Sequence, residues 1–213
     1  MTLEKYSRQV VLCSVCLKMC KFVCPVASVT RYEPVYPPNK ALMAHLVLSN
    51  ILKLERDGET LAKYFYLCTT CGLCSTPPWC GVGVKLWEIV EAMRADLVER
   101  GIIPDSVSSL REKISNYKNS YGKEPDERFS NINAVFNDNA EVAYFLGCTT
   151  AYVVPEIANS VIKILSHAGV KFTLIKDEWC CGSPLLRLGF PELAKELACL
   201  LYTSDAADDG ESV

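Results

Sequence analysis

Cys68-Thr69-Thr70-Cys71-Gly72-Leu73-Cys74 sets three thiols at two-residue gaps on one short loop, and Cys80 follows six residues on. A second cysteine loop lies upstream: Cys13, Cys16, Cys20 and Cys24, the last followed by Pro25. Thiols at such gaps converge on one face of a metal centre. Iron in a four-iron cluster takes soft thiolate ligands, one per iron. The two loops supply eight thiolates, enough for two [4Fe-4S] clusters.

The bacterial ferredoxin run is Cys-x2-Cys-x2-Cys-x3-Cys-Pro, and its fourth cysteine ligates the other cluster. Each loop here departs from it by a short insertion. The first has one extra residue between Cys16 and Cys20, and the second has Pro77-Pro78-Trp79 in a longer gap before Cys80. The crossing rule assigns Cys13, Cys16, Cys20 and Cys80 to cluster one, and Cys24, Cys68, Cys71 and Cys74 to cluster two. That arrangement fastens the loops together through metal and brings the clusters within electron exchange. The competing assignment is a pair of structural zinc sites, since zinc is also held by Cys-x2-Cys pairs. It makes the chain a scaffold or interaction module without redox activity. The third close cysteine in each loop, Pro25, and the absence of a His at ligand spacing favour iron.

Three more cysteines lie downstream: Cys148, then the adjacent Cys180 and Cys181 before Gly182. Adjacent thiols do not serve two corners of a simple cubane from strand geometry, but they can bridge irons in a more open cluster, with Gly182 admitting the backbone. The alternative is a buried core thiol at Cys148 and an incidental Cys-Cys pair. Both stand on spacing alone. His45 and His167 fall within predicted helices and read as packing or surface residues. Trp79 and Trp87 read as solvent shields, and Gly81-Val82-Gly83 is too short for a nucleotide motif. No Ser/His/Asp or paired-carboxylate arrangement is legible.

The chain has 213 residues, half of them hydrophobic, with a net charge of −3. This allows one large or two small domains with a real core. Without a Lys/Arg block, nucleic acid is not an implied partner. The 12 cysteines would read as disulfides in a secreted chain. The polar N-terminus lacks a signal h-region, so a reducing, cytoplasmic location is expected. Residues 41–54 are the best apolar stretch and are too short to span a bilayer. Any membrane association, peripheral at the inner face, then comes through a partner.

The elements that position these thiols follow from periodicity. Residues 1–12 are expected as a strand or turn. Apolar residues at helical spacing predict a helix from Asn39, as N-cap, to a stop near Gly58, and a second helix over 59–66. Residues 84–100 predict an amphipathic helix capped at Gly101, and Pro104-Asp105 opens another to about Ser120. The 43 residues between Cys24 and Cys68 exceed what a compact two-cluster βαβ ferredoxin holds between its loops. The expectation is therefore a helical ferredoxin-like domain over 1–121 and a polar linker over 122–140. An incomplete α/β module follows over 141–198, with strands at 141–146 and 170–175 around a helix at 155–168. Pro191 starts a final helix. Residues 199–208 (CLLYTSDAAD) match a translated transposon-end sequencing adapter, so 199–213 is expected to be adapter-derived or a disordered acidic tail.

These motifs carry a resemblance. The run Cys-Thr-Thr-Cys-Gly-Leu-Cys at 68–74, the following helix, the loop Cys16-Leu-Lys-Met-Cys20-Lys-Phe-Val-Cys24-Pro25, and Phe145-Leu-Gly-Cys148 with Cys180-Cys181-Gly182 are similar to one family. It comprises the iron–sulfur subunits related to heterodisulfide reductase and those of glycolate, lactate and anaerobic glycerol-3-phosphate dehydrogenases. The resemblance implies two [4Fe-4S] clusters and a cysteine-rich CCG module binding a further iron–sulfur cluster through Cys148, Cys180 and Cys181, in heterodisulfide reductases the place of disulfide reduction. It implies an electron-transfer subunit of an oxidoreductase, working with a flavin- or haem-containing partner. The family's later Cys-x-x-Cys and its repeat of the module do not appear in this chain, as expected of a truncated fragment.

Overall fold

A computed structural model describes residues 1–17 and 19–206, with side chains described through residue 201. The chain is mostly helical and divides into two compact units. The first comprises Met1–Pro104 with Leu185–Pro191, and the second Asp105–Pro184 with the residues from Glu192 on.

The first unit is built on α1 (Ser7–Ser14), α2 (Pro25–Thr30), α3 (Pro37–Leu48), α4 (Leu54–Tyr66) and α5 (Leu86–Glu99). α3 begins at Pro37, earlier than the expected cap at Asn39. The two prolines occupy its first turn, where no intrahelical N–H is needed. Asn39 instead donates from its side chain to the Glu33 carbonyl (2.7 Å). Ala41, Ala44 and Val47 form a small-residue stripe, and α1 packs along α3. α5 buries Leu86, Ile89, Val90, Met93 and Leu97 at three- and four-residue spacing. Each such side chain is worth about 1.5–3 kcal/mol when fully buried, so this stripe makes α5 the axis on which α3 and α4 rest. Gly101 ends it as the sequence predicts: Gly101 N–H bonds the Val98 carbonyl (2.9 Å) and Ile102 N–H the Leu97 carbonyl (3.0 Å). That pair of bonds is a Schellman closure.

Two expectations are corrected here. Residues 1–12 are helical: a 3-10 turn over Leu3–Tyr6 runs into α1. The buried Asp96 carboxylate of α5 accepts the Thr2 and Leu3 N–H groups, satisfying donors that a helix start leaves free. Gly58 does not stop a helix but lies inside α4. α4 starts at Leu54, with the Asp57 side chain accepting the Lys53 N–H (2.8 Å).

The second unit carries α6 (Asp105–Tyr117), β1 (Val142–Tyr144), α7 (Cys148–Tyr152), α8 (Pro155–His167) and β2 (Phe172–Leu174), with most of α10 (Pro191–Ala206); α9 (Ser183–Leu188) lies at the division. β1 and β2 pair in parallel, Val142 opposite Phe172 and Tyr144 opposite Leu174, joined through α7 and α8 as a parallel crossover requires. The sheet is smaller than expected and β1 is not a buried strand, since Val142 and Ala143 are exposed. The core gathers Ile132, Leu146, Ala158, Ile162, Phe172 and Leu174.

The division of the chain differs from the expected one. α6 belongs with the second unit. Residues 122–140 are not a bare linker: they hold a 3-10 turn over Pro125–Phe129 and contribute buried Arg128 and Ile132. The expected tail at 199–213 is helical in its first part. α10 continues through Cys199 to Ala206, since Leu197, Leu200 and Leu201 extend the apolar spacing from Ala194. Residues 207–213 lie outside the described residues.

Candidate metal centres

Four cysteines of the first unit, Cys24, Cys68, Cys71 and Cys74, line one pocket with Pro25, Val35, Lys40 and Trp87. The local backbone explains how. Cys24 is the residue that precedes α2, extended at φ −71°, with Pro25 opening the helix. Cys68 closes the C-terminal end of α4, its N–H on the Phe65 carbonyl (3.2 Å). Gly72 turns the loop at φ +77°, and a Cβ there would sit 3.4 Å from the Trp87 ring. Ser75 Oγ then accepts the Leu86 N–H (3.1 Å), tying the loop to the start of α5.

Cys13, Cys16, Cys20 and Cys80 line a second pocket with Pro37, Pro38, Trp79, Val82 and Val84. Cys13 lies in the last turn of α1, and Cys20 in a 3-10 turn over Met19–Phe22. Cys80 is delivered by a turn in which the Thr76 carbonyl accepts both the Trp79 and Cys80 N–H groups (2.9 and 3.1 Å). The insertion before Cys80 is thus folded into a compact turn. Cys74 lines both pockets. Trp79 and Trp87 each wall one of them.

The chemistry of this donor set suits a cationic metal centre. Burial pushes the Cys13 thiol up to about 12, Cys20 to about 11 and Cys74 to about 12, and neighbouring thiols add to each rise. Crowded thiols of this kind do not ionise together in water alone. Bound metal reverses that by deprotonating a coordinating thiol outright. Among the described residues no three His, Cys, Asp or Glu side chains close on a single-ion site; the thiols stand around pockets instead. His45 sits half-buried in α3 and His167 exposed at the end of α8, neither beside these thiols.

In the second unit Cys148 opens α7 after Gly147, which is at φ +75°. The structure brings it to Cys180, which is buried, and leaves Cys181 exposed. A hydrogen bond from Cys180 lowers the Cys148 pKa to about 6, helped by the Ser120 N–H and by Arg128 and opposed by burial. The same bond, with burial, drives the Cys180 pKa upward. Sequence reasoning missed the groups that hold this pair. Glu178, fully buried, accepts the N–H groups of Leu146 (2.7 Å) and Gly147 (2.9 Å) and pairs with buried Arg128. One carboxylate thereby ties the Cys148 loop to the Cys180 loop. Gly182 has a different role from the one expected: a Cβ there would lie 2.8 Å from the Ala194 carbonyl oxygen, so its close neighbour is the backbone of α10.

Lys40 and Arg94 were also missed. Each is 2% exposed. Lys40 Nζ donates to the Val35 carbonyl. Arg94 donates to the carbonyls of Phe65 (2.8 Å), Cys68 and Arg187, and its guanidinium lies 5.0 Å from the Tyr66 ring centre. No local signal marks them, because a charged residue in a helix reads as surface.

Comparison with known proteins agrees with these centres. Residues 9–82 match the family model of a 4Fe-4S dicluster domain, and residues 142–204 that of a cysteine-rich domain. Over 138 residues the chain is 38% identical to the D subunit of the dihydromethanophenazine:CoB–CoM heterodisulfide reductase of Methanosarcina barkeri, covering 62% of this chain and 33% of the relative. The same protein of Methanosarcina acetivorans is 31% identical over 205 residues, 87% of this chain and 49% of the relative. The C subunit of the anaerobic glycerol-3-phosphate dehydrogenase of Escherichia coli K12 is 38% identical over 58 residues, 27% of this chain and 15% of the relative. The chain spans about a third to a half of the length of these heterodisulfide reductase relatives. No solved structure matches it. Among the described residues no helix is long and apolar enough to cross a membrane.

Proposed function

We propose that this chain, homologous to the iron–sulfur subunits of heterodisulfide reductase and anaerobic glycerol-3-phosphate dehydrogenase, is the electron-carrying part of a larger oxidoreductase. The observation that carries the reading is that all eight cysteines of the first unit line two pockets, Cys24, Cys68 and Cys71 the first, Cys13, Cys16, Cys20 and Cys80 the second, and Cys74 both. Cys13, Cys16, Cys20 and Cys80 would hold one [4Fe-4S] cluster, and Cys24, Cys68, Cys71 and Cys74 the other. When bound, each cluster accepts and donates single electrons.

The protein's part is to exclude water, fix the thiolates and set potentials by burial and nearby charge. Trp79, Trp87 and the proline-rich start of α3 do the first. The α4 end, the Gly72 turn and the Ser75–Leu86 bond do the second. In the second unit Cys148 and Cys180, with Cys181 beside them, would hold a further iron–sulfur cluster or do the disulfide chemistry that the names of the Methanosarcina relatives state. A flavin- or haem-containing partner exchanges electrons with the first unit, in the cytoplasm and, through that partner, at the inner face of the membrane.

The test is anaerobic reconstitution followed by counts of iron, sulfide and zinc per chain. About eight irons and eight sulfides support the two-cluster reading, and more iron assigns a cluster to the second unit. Two zincs without sulfide would overturn it in favour of a structural module.

A further inference from the structure

We infer, resting on the two-cluster reading, that Lys40 and Arg94 rank the two centres, making the site of Cys24, Cys68, Cys71 and Cys74 the one on which an electron comes to rest. Reducing a four-iron cluster adds a negative charge in a medium where water answers poorly. A buried cation then stabilises the reduced form. Among the described residues the two pocket linings differ in this respect.

Lys40 lines the first pocket, and the charges that favour its protonated form are those of Cys68, Cys24 and Cys74. Burial pulls the other way, lowering its pKa. Arg94 reaches the same site from α5, donating to the Cys68 carbonyl, with Cys68 the first group favouring its charge. Its Nε is buried without a hydrogen-bond partner. Among the described residues neither Lys40 nor Arg94 forms an ion pair. A buried, unpaired cation is costly, and the thiolates are the counter-charge at hand. Arg187 donates to Thr70 Oγ1 (3.0 Å) in the same loop but is exposed and screened by solvent. The acid facing this group is Glu91, 3.9 Å from Arg187, one carboxylate against two buried cations.

Among the described residues the second pocket has no such group. Its lining is thiols, prolines, a tryptophan and aliphatic side chains. Burial and other thiols raise the Cys13 and Cys20 pKa values, and a backbone hydrogen bond pulls Cys20 partly back. Lys18, between Cys16 and Cys20, lies outside the described residues; Lys21 and Lys85 are exposed and screened by solvent. Burial there opposes the added charge, and among the described residues no cation lines the pocket to offset it. The chain's own residues therefore give electron flow within the first unit a direction, from the Cys13 side to the Cys68 side.

The experiment is a potentiometric titration of the reconstituted full chain, followed by electron paramagnetic resonance, after iron and sulfide have been counted. Lys40→Met is expected to lower the higher of the two potentials by about tenfold in reduction equilibrium, about 59 mV for one electron, and to leave the lower one in place. Lys40→Arg restores the higher potential. With iron retained, a shift of the lower potential or of neither overturns the inference. Should Lys40→Met fail to load, ligand substitutions decide without touching Lys40. Cys71→Ser must move the higher potential and Cys16→Ser the lower; the reverse assignment overturns the ranking. Full iron with equal potentials sinks the ranking alone, whereas an iron-free wild-type chain sinks the two-cluster reading beneath it.

Discussion

The Cys148–Cys180 pair shares its protons unequally. Its first proton leaves near pH 6 and its second well above the ordinary thiol range, values that belong to the pair. Since the thiolate is the nucleophile, alkylation of Cys148 in the metal-free chain is expected to rise through pH 6 and level off by pH 7, as read by mass spectrometry of labelled peptides. The exposed Cys181, next in the chain, serves as internal reference. The carboxylate behind the pair makes a second prediction. Arg128→Met strands the buried Glu178 charge and should cost about 3–5 kcal/mol in denaturant unfolding, whereas Lys85→Met at the exposed Lys85–Glu88 pair should cost less than about 1 kcal/mol. At this scale the cysteines were legible because metal chemistry is written in short spacings. Glu178, Arg128, Lys40 and Arg94 were not, because their partners lie far along the chain and composition places such residues at the surface.

Helices were legible where a side-chain stripe or a cap decides them. α5 and its Gly101 closure, α8 and the start of α10 follow from spacing and from proline and glycine placement. The N-terminal residues escaped notice because their helical start depends on Asp96, supplied by α5. Gly58 misled because glycine preference is local, whereas α4 is held by burial of Leu54, Leu61 and Phe65. Two glycines have consequences for function. Gly72→Ala places a Cβ in the left-handed region, costing about 1–2 kcal/mol, and presses on Trp87. Reconstituted iron per chain should fall toward half, with the Cys13 site retained. Gly182→Ala forces the Ala194 backbone away, since backbone cannot yield as a side-chain tip does. It should expose Cys180 to alkylation while leaving iron in the first unit unchanged.

For the molecule as a whole, the crossed ligand sets of the proposed clusters would join the α1–α2 loop to the α4–α5 loop through metal. Removing iron with a chelator under reducing conditions should therefore lower the first unit's unfolding temperature by mass action on the native state. A second unit without a cluster keeps its transition where it is and calorimetry shows one shifted and one fixed peak, whereas a second unit that holds iron shifts as well. The two-part organisation was legible from the change in cysteine pattern. The boundary was not, because Arg128 and Ile132 sit in a stretch as polar as any linker.

The return of Leu185–Pro191 to the first unit governs how the protein is made. The Arg94 guanidinium finds the Arg187 carbonyl, and the Tyr66 hydroxyl the Leu188 carbonyl (2.9 Å), only after residues 105–184 have left the ribosome. At about 5–20 residues per second, the nascent first unit waits several seconds with its cysteine loops already out and the segment that Arg94 and Tyr66 bond not yet synthesised.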